Sequence, residues 1–361
     1  MAESSSPSPT CNRIIGRTFV HPLFDYMLIG GGISLMVTIW VVAAGTPEII
    51  NRSFIPFFLL FSNSAHFAAS TVRLYTKRGS IEALPFLTLA FPLVCLVVLA
   101  VCMMYPFLLG ENLLKLYLTW SPYHYAAQGY GLAVMYSYRS GCMLSLDNKR
   151  MLWWVGMLPF LKVFFTSANF GLHWLLGLAG VTMPNGVEVF LQNNLGTALM
   201  WLSFAAPAML YYIIAKSDSG PMPLISIMAV ATNAIWFAVL NSTDAFLWAT
   251  VFHGIQYLAI VIIFHVRDQL AEPDNRRGWL YHTLWFYGAC FILGYALFNC
   301  LPLGYSLAGF PPVESVWIVL AAINVHHFIV DGYIWRLKKG DSNREVVDED
   351  ATSAGGIPAS A

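Results

Sequence analysis

The run LPFLTLAFPLVCLVVLAVCMMY, residues 84–105, holds 22 residues without one charge. A helix rises about 1.5 Å per residue, so about 20 apolar residues cross a hydrocarbon layer of about 30 Å. A surface helix of a soluble protein keeps a polar face toward water, and this segment has none. The rest of the chain reads the same way: 58% of its 361 residues are hydrophobic and 11% are charged, against about 25% charged in soluble domains. Ten apolar segments of spanning length stand near 23–44, 54–72, 84–105, 113–136, 151–176, 195–215, 222–240, 245–265, 280–302 and 314–335. The expectation is an all-α integral membrane protein, a polytopic bundle of about ten transmembrane helices.

The cations orient the bundle. When loops are assigned alternately to two sides, one side takes sixteen of the nineteen Lys and Arg residues and the other takes Arg52 and Lys115. Lys162 falls inside a segment. Cytoplasmic loops are enriched in Lys and Arg, so both termini are expected in the cytoplasm. Residues 1–22 then form a cytoplasmic N-terminal segment, 23–339 the transmembrane domain, and 340–361 a polar, small-residue tail expected to be disordered. The opening MAESSSPSPTCN lacks the apolar core and cleavage site of a signal peptide. Zero net charge gives no footprint for nucleic acid. The expected partners are the lipid bilayer and a hydrophobic small molecule. Six scattered cysteines without a CxxC pair exclude a Cys-ligated cluster or a Cys-rich zinc site.

The chemistry lies in the histidines. SNSAHFAASTVR (62–73), YHYAAQGYG (123–131), TVFHGIQY (250–257) and NVHHFIVDGYIW (324–335) each set histidine deep in an apolar run. Counting inward from the outer edge places His66, His124, His253 and His327 about 8 to 13 residues deep, hence about 12–20 Å below that edge. Intramembrane histidines are rare, and they generally have a partner or a task. Four at one depth on four segments predict a shared metal site, with His326 beside them as a further ligand. Helical spacing gives each one polar company: Asn63, Ser70 and Arg73 for His66, Gln128 for His124, Thr250 and Tyr257 for His253, and Asn324 and Asp331 for His327. Such neighbours can fix an imidazole tautomer.

Asp331, Gln128, Tyr257 and Lys162 are the candidate reacting groups, while Asn63, Asn324 and Arg73 are candidates for holding the cofactor. Lys162, Thr166, Asn169 and His173 form a polar stripe if 151–176 is one helix. Imidazoles suit iron, copper or zinc. Iron is the first expectation, for a metal-dependent, oxygenase-like oxidoreductase acting on a hydrophobic substrate, with room for a redox partner. A haem electron-transfer protein is the alternative, with Arg73 or Arg139 facing the propionates. A secondary transporter lined by His and Lys is the third reading. The HxxxH and HxxHH boxes of membrane desaturases, HExxH and CxxCH do not occur.

Overall fold

The computed structural model describes residues 14–44, 55–240, 242–335 and 347. The first thirteen residues lie outside the described residues, and so does the expected tail 340–361, residue 347 apart. Every regular element among the described residues is helical. Besides the short Ser80–Ala83 and Pro106–Gly110, these are in chain order α1 (Pro22–Ile29), α2 (Gly32–Ala44), α3 (55–76), α4 (Phe86–Met104), α5 (Glu111–Arg139), α6 (Leu146–Thr166), α7 (Leu172–Leu178), α8 (Asn185–Ala215), α9 (Leu224–Val239), α10 (Ser242–Leu270), α11 (Trp279–Leu307) and α12 (Pro312–Ile334).

Five of them, α4, α8, α10, α11 and α12, are long and apolar enough to cross a membrane, and the bent pair α1–α2 makes a sixth if counted as one span. The other four expected segments are helical but do not combine that length with that apolarity. α9 has 16 residues, and α3 is interrupted by polar Ser62, Asn63, Ser64, His66, Ser70 and Arg73. Two expected segments also break. The 23–44 run bends by 52° between α1 and α2, at Gly31, whose φ is +77°. A Cβ there would sit 2.0 Å from Thr232 Oγ1, so only glycine lets α9 approach the bend. The 151–176 run stops at Thr166, passes through extended backbone at Ser167, and resumes at Leu172.

Four helices form the interior: α3, α5, α10 and α12. α3 packs against α10, α11 and α12, and α5 packs against α6, α9 and α12. Along α10, 67% of the apolar window is buried, against 17% on α11 and 22% on α8, so α10 is central and α8 and α11 are peripheral. The α3 backbone widens into a π-helical stretch at Leu59–Ser64, a local form common near functional sites. Two helices close on that stretch. A Cβ on Gly294 of α11 would lie 2.5 Å from Ser64 O, and one on Gly254 of α10 would lie 3.1 Å from Ser62 O. Backbone-to-backbone contact of this kind is how small residues draw membrane helices together.

One end of the bundle is tied by arginines. Arg139 donates to Thr18 O at 3.0 Å and Arg267 to Phe19 O at 2.9 Å. Both guanidinium groups lie over the Phe19 ring. Asp25 accepts from Phe19 N and from Tyr136 Oη. Arg73 of α3 pairs with Asp268 of α10 at 3.1 Å. Residues 17–19, 73, 139 and 267, which the charge pattern assigns to one side, thus gather at one end.

Candidate metal centre

Each interior helix contributes one imidazole. His66 comes from α3, two residues beyond the π-helical stretch that α10 and α11 grip. His124 comes from α5, His253 from α10 beside Gly254, and His327 from α12. One ligand atom from each lies within 4.8 Å of the other three. The rings close a circuit: centroid separations are 4.7 Å for His66–His253, 5.0 Å for His253–His124, 5.0 Å for His124–His327 and 4.4 Å for His327–His66. All four side chains are buried.

Hydrogen-bond accounting indicates what the circuit needs. Buried polar nitrogens are nearly always satisfied, yet both ring nitrogens of His66 and both of His253 are buried without a hydrogen-bond partner. An unsatisfied buried group costs about 1–3 kcal/mol. His327 is the best defined of the four. Ser70 Oγ lies 3.3 Å from Phe67 O and 2.9 Å from His327 Nδ1, and with the imidazole N–H as donor of the second contact Ser70 holds one tautomer. That leaves the His327 Nε2 lone pair facing inward, 3.3 Å from His124 Nε2. A tetrahedral ion with bonds of about 2.1 Å separates its donors by about 3.4 Å. The four imidazoles together could hold one metal ion.

A carboxyl group, that of Asp331, lies beside the imidazoles. Its Oδ2 is 3.4 Å from His327 Nε2 and 3.9 Å from His124 Nε2. Its Oδ1 accepts from Tyr257 Oη at 2.6 Å, and Trp335 Nε1 donates to that same Tyr257 oxygen at 3.3 Å. Asp331 and Tyr257 therefore stand together at the rim of the histidine circuit.

The other expected site residues take different places. His326 is turned about 100° from His327 by the helix and stacks on Phe91 at 5.2 Å with planes 10° apart. It is outside the four-histidine group, which corrects the expectation of a fifth ligand. Of the expected same-helix polar companions, Asp331 stays beside His327, while others pair across helices. Ser70 serves His327 and not His66, Gln128 donates to Gln256 Oε1 at 2.9 Å, and Thr250 bonds Tyr125. Asn324 donates to Leu320 O on its own helix, and Asn63 Oδ1 has no hydrogen-bond partner. For Ser70, Gln128 and Thr250 the nearer partner lies on a neighbouring helix.

Arg73 is held by Asp268 and lies over Phe264 and Trp335. Lys162 donates to Phe237 O at 2.5 Å, away from the circuit. Because α6 ends at Thr166, Asn169 and His173 do not continue its face. Sequence reading did not single out the inner seat of Ser70 on His327. Its signal was present, a Ser four residues after His66, but the helix it would serve was not readable.

A cavity of about 660 Å³ adjoins the circuit. His124, Gln128, Tyr257 and Asp331 border it, and aromatic and aliphatic side chains form most of the remaining wall. Phe328 stacks on His124 at 4.4 Å and forms part of that wall. Pockets of this make-up, largely apolar with a few convergent polar groups, are the usual form of small-molecule sites. No protein-family model, curated protein or solved structure matches the chain.

Proposed function

We propose that this chain is a membrane-embedded, metal-dependent oxidoreductase, oxygenase-like in its chemistry, acting on a hydrophobic substrate held in the cavity beside His124. The observation that carries the reading is the circuit of His66, His124, His253 and His327, drawn from four helices, with four buried nitrogens lacking any partner. A bound iron or copper ion would supply dioxygen activation, and zinc would supply Lewis acidity alone.

The chain's own residues do the rest. The four helices exclude water from the ion, which strengthens every charge interaction there. Asp331 offsets the ion's charge, and Tyr257 Oη holds a proton 2.6 Å from that carboxylate, beside the cavity. Aromatic walls position an apolar molecule against the His124 edge. The ring spacing of 4.4–5.0 Å around the circuit favours an ion over haem, because a porphyrin needs an open slot between its axial imidazoles. Arg73, a propionate partner in the haem reading, is already paired with Asp268. The ten-span arrangement with both termini in the cytoplasm belongs to this reading as well, supported by the arginines gathered at one end.

Metal analysis of detergent-purified protein, with an absorption spectrum of the same sample, tests it. Near-stoichiometric iron or copper without a Soret band is expected. Each of His66→Ala, His124→Ala, His253→Ala and His327→Ala should lose most of the metal, and His326→Ala should keep it. If the His66, His124 and His327 variants all fold and retain full metal, the site is wrongly assigned.

A further inference from the structure

The cavity runs alongside α5 and α12. On α5 its lining extends from Trp120 to Met135, a rise of about 22 Å. Its volume is about 660 Å³, of the size that holds one small molecule.

Two of its lining residues are glycines in helix interiors, Gly131 of α5 and Gly332 of α12. A helical glycine is less favourable than alanine, so it usually has a reason. Two ordinary reasons are absent here. Neither residue has the positive φ that favours glycine, and a Cβ added at either would meet nothing within 4 Å. Close helix approach, which explains Gly254 and Gly294, therefore does not explain these two. Both residues line the cavity, Gly131 half-buried and Gly332 exposed, so a side chain at either position narrows the cavity where it meets that wall. Gly131 lies seven residues beyond His124, and thus on the same face of α5, about 10 Å along it. Gly332 follows Asp331 directly.

We propose that Gly131 and Gly332 set the bore of the substrate cavity, and that its occupant is a slender apolar molecule, one chain wide, laid along α5 with part of its length against His124 and Asp331. This rests on the reading of the cavity as the substrate site. The two glycines are specificity-determining, Gly131 about 10 Å along α5 from His124 and Gly332 next to Asp331 at the rim of the histidine circuit.

Full-length protein in detergent can be titrated with methyl trans-parinarate, a linear C18 tetraene, and binding followed as energy transfer from the protein's tryptophans, of which Trp120 and Trp335 line the cavity. Cholesterol, a rigid fused-ring molecule, serves as competitor. The native protein is expected to bind the tetraene and to release little of it to cholesterol. Gly131→Leu and Gly332→Leu should each weaken tetraene binding about tenfold or more, while Gly131→Ala and Gly332→Ala keep it. Size-exclusion profiles and metal content matching the native protein show that the leucine variants are folded. Native-like tetraene binding in both leucine variants, displacement by cholesterol at matching concentrations, or no binding at all would each overturn the proposal. Binding is measured on metal-loaded and chelator-treated protein alike. A protein without metal that still shows the glycine dependence therefore defeats the oxidoreductase reading and leaves this one standing.

Discussion

At the scale of single residues, the site is defined by nitrogens with nothing to bond. His66 and His253 each bury two, and at about 1–3 kcal/mol per unsatisfied group an unoccupied circuit would be a substantial liability. This sets the sign of a test. If a metal sits there, His66→Leu removes a ligand and lowers thermal stability. If none does, the same substitution relieves two unsatisfied nitrogens and raises stability, since apolar replacement of buried polar groups is often neutral or favourable. Differential scanning of the two proteins in detergent separates the cases. Ser70→Ala should be subtler. It removes the oxygen that fixes the His327 tautomer, and loss of such an outer partner weakens metal binding about 10- to 100-fold, readable by competition with a chromophoric chelator. Both His66 and Ser70 stand in SNSAHFAASTVR, and their residue types were legible there. That Ser70 belongs to His327 was not, because the partner lies 257 residues away.

At the scale of elements, two kinds of glycine carry opposite predictions. Gly294 touches the backbone of α3, where a Cβ would come within 2.5 Å of Ser64 O. Gly294→Ala must push α11 off the stretch that positions His66, so it should lower both stability and metal content. Gly131→Ala meets open space and should gain about 0.5–1 kcal/mol from the better helix former, measured by unfolding in mixed micelles. Sequence periodicity located the helices that carry these residues, though not their interruptions. The 151–176 run looks continuous because its apolar character continues, yet α6 stops at Thr166 and the expected Lys162 stripe ends with it. Hydropathy reports burial, and it does not report whether the backbone keeps one helical axis.

At the scale of the whole molecule, a metal held by four helices should act as a clamp. Ligand bound only to the folded state adds about 2.7 kcal/mol at a free concentration 100 times Kd. Stripping the native protein with a chelator should therefore lower its unfolding temperature and re-addition should restore it, while the His327→Ala protein should be indifferent to both treatments. The proposed sidedness is open to labelling. A membrane-impermeant thiol reagent applied to intact cells should modify Asn185→Cys and spare Ser145→Cys, with the wild-type chain as blank, and inverted vesicles should reverse the pattern.

The sequence by itself determined the helical membrane character, through uncharged runs such as 84–105, and it singled out, with His326 besides, the four histidines that the fold brings together. A buried imidazole in an apolar segment has no ordinary reason to be there, and depth along a helix follows from residue number alone. It did not determine which helices touch. Contact between α3, α5, α10 and α12 depends on inter-helix packing and on glycines that let backbones meet at the π-helical stretch before His66. These are properties of surfaces meeting in three dimensions. Only the tertiary structure could therefore exclude His326, hand Ser70 to His327, bring Asp331 to the rim, and open a slender cavity between Gly131 and Gly332.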